Sequence, residues 1–505
     1  DPRLEFKSGV SPKPDHTNFN LSAKGETLTL RSASGQIEDS LTFPQVFANT
    51  SFGRSNLVGG ASGDLHFLAP TPGTANLSEG RAGYAAAVIA SPEGTMSTTS
   101  TSVSLSTEAG VEQIRYTLDS SEPTSQSLSY LTPILTLPGA TVVRARAFRT
   151  GLWPGPISTN TYLVSASPQG DLPIFSLVTD PENLWNNDTG IYVLGPNAGS
   201  PPWYDGANFW NNWERPLHTE FFERDGVREL SMDLGTKIHG AYSRTHPQKS
   251  MRLIARGGYG EGSMDYPFFD DVDNDEYKVL ILRNAGNDFY YGWCRDAIIH
   301  QASRDIGVDY LAYRPSIVYL NGQYWGYMGL RERNDEDYIA YRHDVDPDKL
   351  DILEFGGNPV QGSANHYNQM MDYLRSNDMS DDQEFAVVAS MMDTDNYAKY
   401  AAIQIWCNNT DWPQNNIKFW RAHEPGSKWR WLLYDTDFGL GLWGGPFTTN
   451  SLGRLFDPNG GNDWARELFL GLMDNQAYRE EFIRIYSDYL NTCFSAATRS
   501  QGVNQ

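Results

Sequence analysis

The sequence predicts a multidomain chain, with two all-β, immunoglobulin-like modules followed by a larger α+β domain that begins rich in strands and ends rich in helices. Three observations carry this. The chain has 505 residues, far more than one hydrophobic core organises. Up to residue 165 apolar residues alternate in short runs between Gly, Pro, Asn and Ser turn signals, as half-buried strands do. Beyond residue 168 aromatic and charged residues rise, and apolar positions three and four apart appear for the first time.

Composition narrows the function classes. Hydrophobic residues at 39% and aromatics at 13% suffice for folded domains. A formal net charge of −23 works against nonspecific binding to nucleic acid or anionic membranes. No run of 18 apolar residues exists, so no transmembrane segment is expected. The first residues lack a signal pattern, so a signal peptide was either removed or never present, and it is the acidic charge that favours a secreted or cell-surface setting. Cys294, Cys407 and Cys493 are odd in number and widely spaced, which predicts buried free thiols rather than zinc ligands or disulfides.

Taken in order, residues 1–79 hold alternating runs at 26–31 and 39–43 and read as a small β domain. After a linker at 77–81, residues 82–165 read as a second β module, with strands near 103–106, 113–118, 133–137 and 141–148. Neither segment offers a clustered acid, base or metal set, so both are expected to be dispensable for chemistry. The aromatic stretch Trp203 to Trp213 reads as packing. Residues 235–255 read as strand, glycine-bearing loop, strand, and Arg244 and Lys249 offer positive charge for phosphates. The acidic stretch Asp270 to Glu276 lacks the Gly and distal Glu of a calcium loop and reads as solvated. A helix follows at about 293–306, then a hairpin on Asn321-Gly322, then helices at about 363–376, 381–392, 394–407 and 463–492.

The chemistry concentrates between residues 395 and 440. A helical run ends at Asn408-Asn-Thr-Asp411, and Pro413 bars its continuation, so Asp411 sits on a loop held by a helix. Asn416 lies five positions later, the interval between the base Asp and the metal-binding Asn of protein kinases. A predicted hairpin then delivers Asp435-Thr436-Asp437-Phe438-Gly439. Phosphoryl transfer needs a hard divalent cation held by oxygens, which Asp437, Asn416 and Asp435 offer. Taken singly, each of these aspartates also suits an ordinary turn.

These motifs resemble the CotH kinase family of atypical kinases. The carrying residues are Gly240 to Arg244 with Pro247 to Ser250, Arg283, Arg295-Asp296, Asn321 to Gly326 leading to Glu332, Asp411 with Asn415-Asn416, and Asp435 to Asp437 with Gly439. The resemblance implies an atypical protein-kinase-like domain at 168–505, with a β-rich N-lobe and a helical C-lobe, that uses ATP and Mg²⁺ or Mn²⁺ to phosphorylate an unknown protein acceptor. It makes Asp411 the base, Asn416, Asp435 and Asp437 the metal ligands, and Lys249 the phosphate partner. Arg244 would belong to the loop over the phosphates, and Glu332 would lie near the adenine. Gln248 replaces a usual lysine, and helix 293–306 holds no Glu, leaving Asp296 to orient Lys249. Residues 114–124 with 144–151 are similar to the chitobiase C-terminal module, with Ser120 where Gly is usual. Residues 21–30, 51–54 and 67–76 resemble the second half of a lamin-tail domain. Two other readings stay open: a kinase-fold enzyme that transfers the nucleotide itself, and a catalytically silent adhesin with cell-surface or glycan contacts through its β modules.

Overall fold

The computed structural model describes residues 22–495 apart from 23, 48, 55–64, 73, 77–79, 109–111, 166–170, 445–447 and 458–462. Most of the linker expected at 77–81, and the stretch between the second module and the large domain, therefore lie outside the described residues. The first region is two antiparallel pairs, Gly25–Arg31 with Ile37–Pro44 and Ser51–Arg54 with Leu65–Leu68. It buries little beyond Phe43, Phe67 and Leu68. It leans on the next module through Trp153, whose indole N–H donates to Phe67 O at 3.0 Å.

Residues 88–164 form a β-sandwich of a three-stranded and a five-stranded sheet around Val103, Val143, Ala145 and Tyr162. Ser120 has φ +66°, a left-handed conformation that glycine adopts without a Cβ penalty. Arg144 holds it there by donating to Ser120 O at 2.7 Å.

A closed seven-stranded barrel follows, in the order Ile174–Val178, Arg215–Phe222, Arg228–Ile238, Met251–Ile254, Val279–Arg283, Gln323–Glu332, Tyr313–Leu320. Closure comes from the parallel pairing of Ile174–Val178 with Tyr313–Leu320. Alternation decides what points inward, and Met251, Leu253, Leu280, Leu282 and Leu330 are all fully buried. The hairpin turns on Asn321 and Gly322, both with positive φ, as a two-residue turn between twisted strands requires. Asn321 Oδ1 also accepts from Thr179 N at 2.8 Å, pinning the end of the first barrel strand.

The sandwich is joined to the barrel by a buried polar contact. Glu220, fully buried, accepts from Thr161 N at 2.7 Å and from Arg228 at 2.8 Å, and Arg228 also pairs with Glu93. Leu163 of the sandwich packs beside Ile174, Phe222, Ile317 and Tyr319 of the barrel. The second module is thus part of what buries the barrel wall, a structural role beside the expectation that residues 82–165 carry no chemistry.

After Glu332 the chain builds a four-stranded sheet, in the order Asn358–Gln361, Leu350–Glu354, Lys418–Ala422, Arg430–Leu432, packed on helices. Helix Thr394–Trp406 is central: Ala398, Ala401, Ala402 and Ile403 are fully buried, and Trp429, Trp431 and Phe419 of the sheet share its core. The span 463–492 forms two helices, Asp463–Asp474 and Gln476–Asn491, because Asn475 caps the second by accepting from Tyr478 N at 3.0 Å. Helix Glu336–His343 was not expected; it is started by the Asp335 cap on Tyr338 N and carries few apolar residues. Among the described residues no helix is long and apolar enough to cross a membrane.

Candidate functional site

A cleft of about 900 Å³ separates the barrel from the helical part. One side is formed by the loop after helix Thr394–Trp406 and the segment after strand Arg430–Leu432, which bring Asp411, Asn416 and Asp435 together. Asp411 accepts from the side-chain amides of Asn415 at 2.7 Å and Asn416 at 2.9 Å. Asn416 also donates to Asp435 O at 3.1 Å, which ties the two segments. Asn416 and Asp435 both have φ near +50°, a region that Asn and Asp tolerate better than most residues.

Asp437 is fully buried beneath this surface. Its Oδ2 accepts from Asn287 N at 2.7 Å and lies 3.3 Å from Arg283, which also pairs with Asp435. The chain passes so close at Gly286 that a Cβ there would collide with Asp437 Oδ2. Burial and the Asp435 charge push the Asp437 carboxyl well above the usual carboxylate range. Burial also raises Asp411, opposed by its bond from Asn415 and reinforced by Asp435. Burial works against the Arg283 charge, but Asp435, Asp296 and Asp437 outweigh it and hold the guanidinium ionised.

The barrel side corrects several expectations. Lys249 faces the barrel interior: its Nζ donates to Arg244 O at 2.6 Å and His246 O at 2.9 Å and lies 4.3 Å from the centre of the Phe209 ring. Burial pushes it down to about 8, and it braces the glycine-bearing loop from behind rather than facing a phosphate. Arg244 is likewise turned onto the backbone, donating to Gly240 O at 2.6 Å and Phe209 O at 2.8 Å. Glu332 does border the cleft; its Oε2 accepts from Ala312 N at 2.7 Å and Arg342 at 2.6 Å, while Oε1 has no partner among the described residues. Asp296 does not orient Lys249; it pairs with Arg331 at 2.6 Å and accepts from Thr436. In the aromatic stretch, Phe209, Trp210 and Trp213 join the barrel core, whereas Trp203 borders the cleft against Tyr242.

Five cations line the cleft among the described residues: Arg283 pairs with Asp435 and Asp437, Arg331 with Asp296, Arg333 with Asp335 and Lys418 with Glu354, and Arg252 is the fifth. Arg252 has no carboxylate partner among the described residues; its Nε lies 3.1 Å from His239 Nδ1. Burial and the nearby Arg333 and Arg244 push it down to about 10. The signal that separates it from Lys249 was alternation: Lys249 shares the parity of the buried Met251 and Leu253, and Arg252 has the opposite one.

The donor set fits a hard divalent cation. Asp437 Oδ1 is a buried carboxylate oxygen with no hydrogen-bond partner among the described residues, and a cation beside it would offset the burial and the Asp435 repulsion that push this carboxyl up. Among the described residues no group of three or more His, Cys, Asp or Glu converges on one point. Two carboxylates and the Asn416 amide are what an ion that keeps water and phosphate ligands requires.

No curated protein matches the chain. Its residues 91–159 match the family model described as chitobiase/beta-hexosaminidase C-terminal domain, which covers most of the sandwich. Residues 236–505, more than half of the chain and including every residue of the acidic side of the cleft, match the family model described as CotH kinase protein. The chain belongs to the CotH kinase family.

Proposed function

We propose that the chain transfers the terminal phosphoryl group of a nucleoside triphosphate, ATP in the first instance, to a hydroxyl of a protein acceptor, with Mg²⁺ or Mn²⁺ held by Asp437, Asp435 and Asn416. The observation that carries this is the convergence of Asp411, Asn416 and Asp435 on one cleft, with Asp437 buried directly beneath and Arg252 and Arg283 among the cations of the opposite wall. The divalent ion, when bound, neutralises phosphate charge. Asp411 accepts the proton of the acceptor hydroxyl as that oxygen bonds to the terminal phosphorus and the nucleoside diphosphate leaves. Asn415 and Asn416 fix the Asp411 carboxylate, and its raised pKa brings it nearer to a useful proton acceptor. Arg252 offers an anion a charge that no carboxylate among the described residues pairs with.

In this reading the barrel acts as the N-lobe and the helical part as the C-lobe, with the chain crossing between them after Glu332. Residues 168–505 form the catalytic domain and 82–165 a supporting β module. Residues 1–79 belong to a lamin-tail-like domain. The strongly acidic composition supports a secreted or cell-surface setting.

The test is transfer of label to the chain itself or to a generic protein acceptor with Mg²⁺ or Mn²⁺, using nucleotide labelled on the terminal or on the first phosphate. Asp411→Asn should bind metal–nucleotide nearly as the parent does and lose transfer by about 10²-fold or more. Label from the first phosphate would assign nucleotide transfer instead. Equal transfer by parent and Asp411→Asn would remove Asp411 as the base.

A further inference from the structure

Asp296 lies in the first turn of helix Arg295–Ser303 and is buried, yet neither cleft loop was expected to need it. Its Oδ1 accepts from Thr436 N at 2.8 Å and from Thr436 Oγ1 at 3.0 Å. Its Oδ2 accepts from Arg331 Nη1 at 2.6 Å. His300, one turn further along the helix and fully buried, places Nε2 3.4 Å from Oδ1. The other ring nitrogen, Nδ1, accepts from Leu311 N at 2.9 Å, which puts the imidazole proton on Nε2, toward Asp296. Thr436 N, Thr436 Oγ1 and Arg331 Nη1 thus fix this carboxylate, with the His300 ring beside it.

Thr436 is the residue between Asp435 and Asp437, and it is fully buried. Asp435 is held at φ +51°, a conformation that costs a non-glycine residue about 1 kcal/mol or more. The two flanking carboxylates repel each other, and Arg283 bridges them. A segment carrying adjacent like charges in such a conformation needs an anchor on its middle residue. Asp296 supplies two bonds to that residue, one through the amide and one through the hydroxyl.

We infer that Asp296, acting through Thr436, is a positioning residue that sets the spacing of the Asp435 and Asp437 carboxylates and thereby the affinity of the cleft for a divalent cation, without touching the cation. The inference rests on the phosphotransfer reading of the same cleft. It makes Thr436 part of the site for its hydroxyl rather than its bulk. Serine preserves the bond; valine preserves the volume.

The experiment is calorimetric titration of the full chain with Mn²⁺, with and without non-hydrolysable ATP analogue, for the parent, Asp296→Asn, Thr436→Val and Thr436→Ser. Asp296→Asn should weaken Mn²⁺ binding by about 10- to 100-fold, the scale on which outer partners of metal ligands act. Thr436→Val should weaken it by roughly 5- to 10-fold, and Thr436→Ser should stay within about twofold of the parent, as loss of one hydrogen bond and its restoration imply. Nucleotide binding measured without metal should change less than metal binding in each variant. Parent-like Mn²⁺ affinity in Asp296→Asn or Thr436→Val overturns the inference, as does equal weakening by Val and Ser. A parent chain that binds no Mn²⁺ overturns the phosphotransfer reading, and this inference with it. Should Asp296→Asn fail to fold, the Val and Ser pair decides alone.

Discussion

The two walls of the cleft are built from opposite charges and by opposite means. The barrel wall offers guanidiniums on strands, Arg252, Arg283 and Arg331, whose positions follow from strand register. The helical wall offers carboxylates on loops, Asp411 and Asp435, held in place by amides and by positive φ. Arg283 is the guanidinium that crosses between them, pairing with Asp435 and Asp437. Opposite charges kept apart across water are a poor way to stabilise a fold, since they forgo attraction without avoiding desolvation. They suit a ligand that carries both signs, as a polyphosphate with its cation does.

The harshest way to break this comparison is at Asp437. Asp437→Ala should abolish metal-dependent nucleotide binding, a loss of at least about 100-fold in calorimetric affinity, because it removes a buried charged ligand and adds none. Unchanged affinity would mean that the acidic wall holds no cation.

A second test sets Arg252 against Lys249. Arg252→Met should weaken nucleotide binding by roughly 10-fold, as expected for one charge-assisted contact of about 1.5–3 kcal/mol. Lys249→Met should instead lower thermal stability, by about 1–3 kcal/mol, because two loop carbonyls lose a charged donor in the interior. It should affect affinity less than the Arg252 change does. The reverse ranking would restore Lys249 as the phosphate partner.

An effect confined to a narrow pH window is expected where the walls meet. Asp335 follows the last barrel strand and caps the first helix beyond it, and burial pushes its carboxyl up to about 6. Below about pH 4 both folded and unfolded chains hold this proton. As pH rises from about 4 to 6 the unfolded chain releases it first, so Asp335 makes the fold progressively less stable across that window. Asp335→Asn keeps the cap and should flatten this part of the stability–pH curve by about 1–3 kcal/mol, read by denaturant unfolding. An unchanged slope would mean that Asp335 is ionised in the fold from the start.

How much of this could be read in the sequence depended on how local each cause is. The hairpin at Asn321-Gly322 needs two adjacent residues able to adopt positive φ, and those residues are adjacent in the chain. The acidic wall was legible because Asp411 with Asn416, and Asp435 with Asp437, each sit on one loop. The barrel was not, since its closure pairs Ile174–Val178 with a strand about 140 residues away. Asp296 was noticed for its place on a helix but given Lys249 as partner, because nothing local reveals that Thr436 lies against it. The assignment of Lys249 failed for a different reason: parity along Met251–Ile254 already separated Lys249 from Arg252, but the charge of Lys249 received more weight than its direction.

The parallel closing pair also bears on how such a domain is inherited. The matched family segment opens at residue 236, inside strand Arg228–Ile238, after two barrel strands have already been laid down. A hoop missing staves is not a smaller hoop, because each remaining edge exposes unpaired backbone and an apolar inner face. Any exchange of this domain between genes must therefore carry at least the stretch from Ile174 as a single cassette. With Glu220 sealed against Thr161, the sandwich before it travels best as part of the same piece.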